Sequence, residues 1–292
     1  MSLTRAESSY YVYLTERMDK GESKNIVIPT AVDLVSKHSQ FKSVVKILDI
    51  GCFNGAMLNQ IRLSTPAEIR QRVSYTGAEI DESLIEDGRN RYPELNFSKL
   101  NLQEQLPDLE QYDIVILSNV LHEVISNSEN IDVEKVIGAS LKKISSLVTA
   151  DGNLLILDGL RPDNDTDIVE ICFATSEVHE LYKQFAEKYT AFKIYATDLG
   201  ENIIQTRVKD LAAFLTKARY LFEGYWSIES QQIYQYFNKQ QFTKALQLSG
   251  FRIERLEPQK FDQEHVDRMF SSITPKIEYP AKNLLIVATK NN

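Results

Sequence analysis

The stretch KILDIGCFNGAML, residues 46–58, decides the fold. A short apolar run ends at Asp49 and Gly51, and a helical pattern begins at Gly55. A continuous apolar run of this length reads as a strand buried on both faces, the usual state in a parallel sheet. Gly51 and Gly55 permit positive φ and a close approach of backbone to ligand. A helix starting near Gly55 presents free N–H groups at its positive end. Any strand–glycine–helix connection shares these features, so the flanking sequence must supply the meaning. The spacing Gly51-x-x-x-Gly55 is not the three-glycine GxGxxG fingerprint of dinucleotide sites. Asp49 just before the turn would repel a pyrophosphate; it suits a cationic or amine-bearing ligand.

Outward from this stretch, short apolar runs alternate with helical segments. The runs cover 44–50, 73–80, 96–102, 114–118 and 153–158, with helices over 56–63, 83–91 and 133–148. Pro66 opens a further short helix, where a missing N–H costs least. A helix over 242–248 ends at Gly250, a suitable C′ glycine, before strands over 251–256 and 283–289. Seven strands in this order predict an α/β fold: a doubly wound, mostly parallel seven-stranded sheet of Rossmann-like type. Residues 1–43 read as an N-terminal helical cap: a helix with Tyr10, Tyr11, Val12 and Leu14, a polar turn at 20–24, and a second helix carrying Ala31, Val32, Leu34 and Val35 on one face. Residues 161–237 hold no convincing strand and are rich in aromatics, which predicts a helical lid insertion. The expected organisation is cap 1–43, cofactor domain 44–160 with 238–292, and insertion 161–237.

Composition narrows the function classes. Of 292 residues, 43% are hydrophobic and 25% charged, ordinary for a globular protein. The net charge of −8 gives no general attraction to phosphate backbones, so no nucleic-acid partner is expected. Cys52 and Cys172 cannot build a disulfide framework or a CxxC zinc site; no metal is expected, and a reducing, cytoplasmic setting fits. The opening MSLTRAESSYYVYLTERMDKGESK lacks the apolar core of a signal peptide. No apolar run reaches the roughly 20 residues of a membrane helix.

Three further pieces complete the constellation. YTGAEID (75–81) ends the second strand in Glu79, where an acid can accept both hydroxyls of a ribose; a solvated turn carboxylate is the bland alternative. KLNLQEQLP (99–107) offers Asn101 to an adenine edge and Leu102 to its face. YDIVILSNVLHEV (112–124) puts Ser118 and Asn119 at the switch point between strands one and four. The ordered set LDIGCFNG, GAEID, NLQEQLP, YDIVILSNVLHEV and DGNLLILDG resembles the class I S-adenosylmethionine-dependent methyltransferases over residues 44–160, and more loosely over 240–290. The resemblance implies S-adenosyl-L-methionine as cofactor and S-adenosyl-L-homocysteine as product. It implies that Asp49, Gly51, Cys52 and Gly55 surround the methionine part, and that Glu79 holds the ribose. Ile80 would pack on the adenine, Asn101 and Leu102 would contact its edge and face, and Ser118 with Asn119 would line the methionine arm. Phe53 departs from the family pattern, which more often has glycine there.

Methyl transfer from a sulfonium is an in-line displacement, so positioning dominates and a base is needed only when the acceptor must lose a proton. His122 is the candidate base, with a packing histidine as the alternative, while His38 and His265 read as surface residues. Tyr11, His179, Tyr225, Trp226 and Arg161 are candidates for the substrate side, with Arg207 or Arg219 as further carboxylate grips; aromatics here would otherwise form the insertion's own core. The expected function is methyl transfer to an O or N atom of a small organic molecule. The alternatives are a peptide or protein acceptor, a carboxylate among them, and a non-catalytic binding protein of the same fold. A homodimer is compatible with the sequence.

Overall fold

The computed structural model describes residues 5–20, 26–106, 110–126, 132–260, 273–275 and 279–291. The turn at 20–24 falls outside them from residue 21 on, and so does His265, expected at the surface. The chain runs α1 (Arg5–Lys20), α2 (Val27–His38), β1 (Val45–Ile50), α3 (Ala56–Ser64), α4 (Ala67–Arg70), β2 (Val73–Glu79), α5 (Glu82–Arg91), β3 (Asn96–Lys99), β4 (Tyr112–Ser118), α6 (Leu121–Ser126), α7 (Val133–Leu147) and β5 (Val148–Gly159). It continues through β6 (Ile168–Phe173), α8 (Ser176–Lys188), β7 (Ala196–Gly200), β8 (Ile203–Arg207), α9 (Val208–Lys217), α10 (Trp226–Glu229), α11 (Lys239–Leu248), β9 (Phe251–Gln259), β10 (Ile273–Pro275) and β11 (Asn283–Lys290).

The seven-stranded sheet has the order β3-β2-β1-β4-β5-β11-β9, and β1 to β5 pair in parallel. The order reverses between β1 and β4, which makes their carboxyl ends the switch point expected from the sequence. Buried Asp113 pins the opposite end: its carboxylate accepts from the Lys46 N–H at 2.8 Å and from the Thr149 hydroxyl at 3.2 Å, and pairs with Lys42.

The strands are apolar on both faces because helices cover both. On one face Val45, Ile47, Ile114, Ile116, Leu155, Leu157, Leu285 and Val287 pack with Val27, Ala31 and Leu34 of α2 and Met57, Leu58 and Ile61 of α3. The stripe read on residues 31–35 therefore belongs to the sheet's core and not to a separate cap. The chain divides into two compact units: 12–158 with 242–257 and 285–292, and 1–11 with 159–241 and 258–284. The boundaries thus differ from the expected 43/44 and 237/238.

The second unit corrects the expectation of a helical insertion. It contains an antiparallel sheet of order β10-β6-β8-β7 beside its helices. β6 and β8 do alternate, with Val169, Ile171, Phe173, Ile204 and Thr206 buried. They span only five or six residues among strong helix formers, and β7 is exposed throughout, so no period-two pattern marks it. The aromatics largely form this unit's own core: Tyr182, Phe185, Tyr189 and Phe214 pack together with Trp226 against them.

Ile47 is fully buried in the centre of the sheet. Ile47→Ala should lower unfolding free energy by about 2–5 kcal/mol in a urea titration, the usual cost of emptying such a site; an unchanged midpoint would contradict this core.

Candidate active site at the switch point

Asp49, Gly51, Cys52, Gly55, Glu79, Ile80, Asn101, Leu102, Ser118, Asn119 and His122 all lie in one unit, at or just beyond the carboxyl ends of β1 to β4. The turn after β1 sets their arrangement. Gly51, Phe53 and Gly55 have φ of 67°, 55° and 82°. The Ala78 carbonyl, on neighbouring β2, accepts from both Gly51 N–H (2.8 Å) and Cys52 N–H (3.1 Å). A Cβ on Gly51 would lie 2.6 Å from Val120 Cγ2, so glycine is needed for space as well as for conformation. Gly55 then caps α3 without a side chain. Phe53 is buried and takes the left-handed conformation that glycine would adopt more cheaply.

Glu79 closes the same turn from β2. Its carboxylate accepts the Phe53 N–H at 2.9 Å, the Ile80 N–H at 2.7 Å and the Asp81 N–H at 3.4 Å. Burial pushes its pKa above the ordinary 4.5, and these backbone donors only partly offset that. A carboxylate has about four lone-pair sites, so capacity remains for hydroxyl donors. Ile80, next in sequence, is 53% exposed. Asp49 is 1% exposed.

Asn101 turns its side chain partly into its own loop: Oδ1 accepts the Gln103 N–H at 2.9 Å and Nδ2 donates to Glu104 Oε1 at 3.0 Å. Leu102 is buried. Beyond β4, Ser118 is buried and its hydroxyl has no hydrogen-bond partner among the described residues. Asn119 follows at φ 60°, its N–H held by the Leu157 carbonyl at 2.7 Å.

Asp158, which the sequence alone does not single out, organises the base candidate. From the end of β5 its Oδ2 accepts the Leu121 N–H and its Oδ1 meets His122 Nδ1, both at 2.8 Å, with the pair buried. One carboxylate thus caps α6 and orients the imidazole. The available signal was an acid at the end of the fifth strand, in LILDG, one residue past Leu157, the partner of Ser118 in the pairing of β4 and β5. An ionised carboxylate accepts only, so Nδ1 carries the proton and Nε2 is the basic atom of neutral His122.

The substrate-side candidates belong to the other unit. His179 pairs with Asp198 at 3.2 Å and lies against Phe173; Arg161 donates to Gln241 at 2.5 Å and pairs with Asp165. The Tyr225 ring packs against Tyr10 at a tilt and against Tyr220 edge-on, Trp226 packs on Phe185, and Tyr11 is half-buried on α1. Arg207 is bound to Asp210, and Arg219 lies over the Tyr220 ring. His38, expected at the surface, meets Asn153 Oδ1 at 2.8 Å. Among the described residues, no helix is long and apolar enough to cross a membrane, and no cluster of metal-ligating side chains occurs.

Residues 48–154 match the family described as methyltransferase domain. A curated relative, a non-reducing polyketide synthase of Penicillium brevicompactum (mapC), is 28% identical over 134 residues, which is 44% of this chain and 5% of that protein. Two solved structures share the fold. The DszA carbon methyltransferase has a TM-score of 0.52 at 16% identity, covering 91% of this chain and 53% of that one. Human N-acetylserotonin methyltransferase in complex with SAM has a TM-score of 0.50 at 13% identity, covering 97% and 56%. This chain therefore spans about half the length of these two structures and a small part of the synthase. Residues 48–154 thus match a methyltransferase-domain family, and the seven-stranded Rossmann-like sheet that holds them is the fold of these methyltransferase structures.

In ¹⁵N NMR of the neutral side chain, His122 should appear as the Nδ1–H tautomer, and Asp158→Ala should shift it toward the Nε2–H form. An Nε2–H tautomer in the wild type would refute this orientation of the ring.

Proposed function

We propose that this chain is an S-adenosylmethionine-dependent methyltransferase acting on a small organic acceptor whose nucleophilic oxygen or nitrogen carries a proton until His122 removes it. The observation that carries this reading is the buried His122–Asp158 pair, four residues past Ser118 at the switch point. The residues present fit the cofactor. The partnerless buried hydroxyl of Ser118 suits its polar amino-acid end, and the exposed Ile80 suits an aromatic base. Glu79, ionised, would accept the ribose hydroxyls; the glycine turn with Asp49, Gly51, Cys52 and Gly55 would hold the methionine part. Asn101 and Leu102 would border the adenine, with Asn119 beside Ser118 on the methionine arm. When bound, the sulfonium supplies an electrophilic methyl group.

The chain's own contribution is then binding, alignment and one proton transfer. His122 Nε2 takes the acceptor's proton as the nucleophile engages the methyl group, and Asp158 stabilises the imidazolium that results. Asp158 also fixes the ring, so no rotamer search precedes the transfer. A second reading is a carbon acceptor beside a carbonyl, whose C–H is acidic enough for a histidine base. The similarity to a polyketide synthase and to a carbon methyltransferase favours it.

Calorimetry with S-adenosylmethionine and S-adenosylhomocysteine should show binding by the wild type that Glu79→Ala and Asp49→Ala lose. A well-folded wild type that binds neither would sink the proposal. Affinity should fall as pH drops through the Glu79 pKa, which lies above 4.5, because protonation removes the acceptor; Glu79→Gln should flatten that dependence. With a panel of phenols, amines and 1,3-dicarbonyls, His122→Ala should lower turnover by about 10²- to 10⁴-fold while product affinity is kept. Full activity of His122→Ala would remove the base from the mechanism.

A further inference from the structure

We propose that Lys143 is a positioning residue for the adenine half of the cofactor, acting through the loop at 100–106. The proposal rests on the cofactor reading above. Lys143 lies on α7, half-buried, and its ammonium donates to two backbone carbonyls of that loop, Leu102 at 2.8 Å and Glu104 at 2.6 Å. Both carbonyls lie past the end of β3, where no sheet ladder satisfies them. An ammonium has three donors and no acceptor, so the two charge-assisted bonds fix the direction of both peptide groups.

The loop has other tethers. Leu100 N–H bonds the Glu79 carbonyl at 3.0 Å, and Gln103 Nε2 donates to the Val124 carbonyl on α6 at 3.1 Å. Within the loop, Asn101 accepts from Gln103 N–H and donates to Glu104. Among the described residues, the tether from Lys143 is a charged one, and it grips the peptide of Leu102 itself. With the Asn101 amide engaged inside its own turn, adenine recognition falls on the backbone at 101–102 and on the Leu102 side chain. The placement of that backbone is what Lys143 controls.

A loop no longer held competes among conformers, and apparent affinity falls by the fraction that stays competent, about tenfold for a loop competent one-tenth of the time. The loss is uniform between ground and transition states, so cofactor KM should rise while kcat at saturation stays.

The test is calorimetry on the full chain with S-adenosylhomocysteine and with adenosine, comparing wild type, Lys143→Met, Lys143→Arg and the exposed neighbour variant Lys142→Met. Lys143→Met should weaken both ligands by the same factor, about tenfold. Lys143→Arg should restore much of the loss, and Lys142→Met should match the wild type. Hydrogen exchange should show amides 101–104 of Lys143→Met less protected, with β4 unchanged, which separates a loosened loop from a misfolded chain. Equal affinity in Lys143→Met and wild type overturns this proposal alone, and so does a loss confined to S-adenosylhomocysteine. A wild type that binds neither ligand overturns the cofactor reading, and this proposal with it.

Discussion

A buried central strand must leave the sheet and become a helix without stranding its peptide groups, and the site is organised around that constraint. Between β1 and α3 the chain takes three left-handed residues, and the Ala78 carbonyl receives two consecutive N–H groups. The Phe53 N–H that points away is taken by Glu79. The turn therefore depends on its neighbouring strand, and the carboxylate that would recognise a ribose also holds the loop that would wrap the methionine. Loss of Glu79 would remove a ligand contact and loosen the turn together.

The same economy recurs at the other side of the switch point. Asp158 caps α6 with one oxygen and orients His122 with the other. Desolvating a carboxylate is costly unless donors replace the lost water. Backbone N–H groups supply them at Glu79, and a backbone N–H together with an imidazole at Asp158. A histidine so fixed has one basic nitrogen and one ring orientation, which suits the removal of a single proton from a positioned acceptor.

The loop after β3 is held from a helix that packs on the sheet. α7 covers the sheet with Ile137, Leu141, Ile144 and Leu147, all buried. One of its polar positions, Lys143, reaches back to two loop carbonyls. Helix packing thus fixes where the ammonium stands, and the ammonium fixes the loop.

Much of this was legible in the sequence because it is local. Strand runs of fixed length, the glycines at 51 and 55, the helix stop at Gly250 and the acids ending the first two strands are set by backbone sterics and by burial, which a linear pattern records. The parallel pairing of β1 to β5 followed from the alternation of runs and helices. What the pattern could not carry was contact between distant segments. Asp158 and His122 stand 36 positions apart and Lys143 stands 41 from Leu102; only the parallel register of β4 with β5, and the packing of α7, brings them together. β6, β7 and β8 were missed for a related reason: the antiparallel sheet is stabilised by partners from elsewhere in the chain, β6 and β8 alternate over only five or six residues, and the exposed strand β7 shows no period-two pattern. The sequence by itself determined the α/β class, the parallel core and the switch-point edge. The tertiary structure decided which carboxylate orients the histidine, which ammonium holds the loop and what the insertion is made of, because hydrogen bonds between remote residues exist only once the sheet has aligned them.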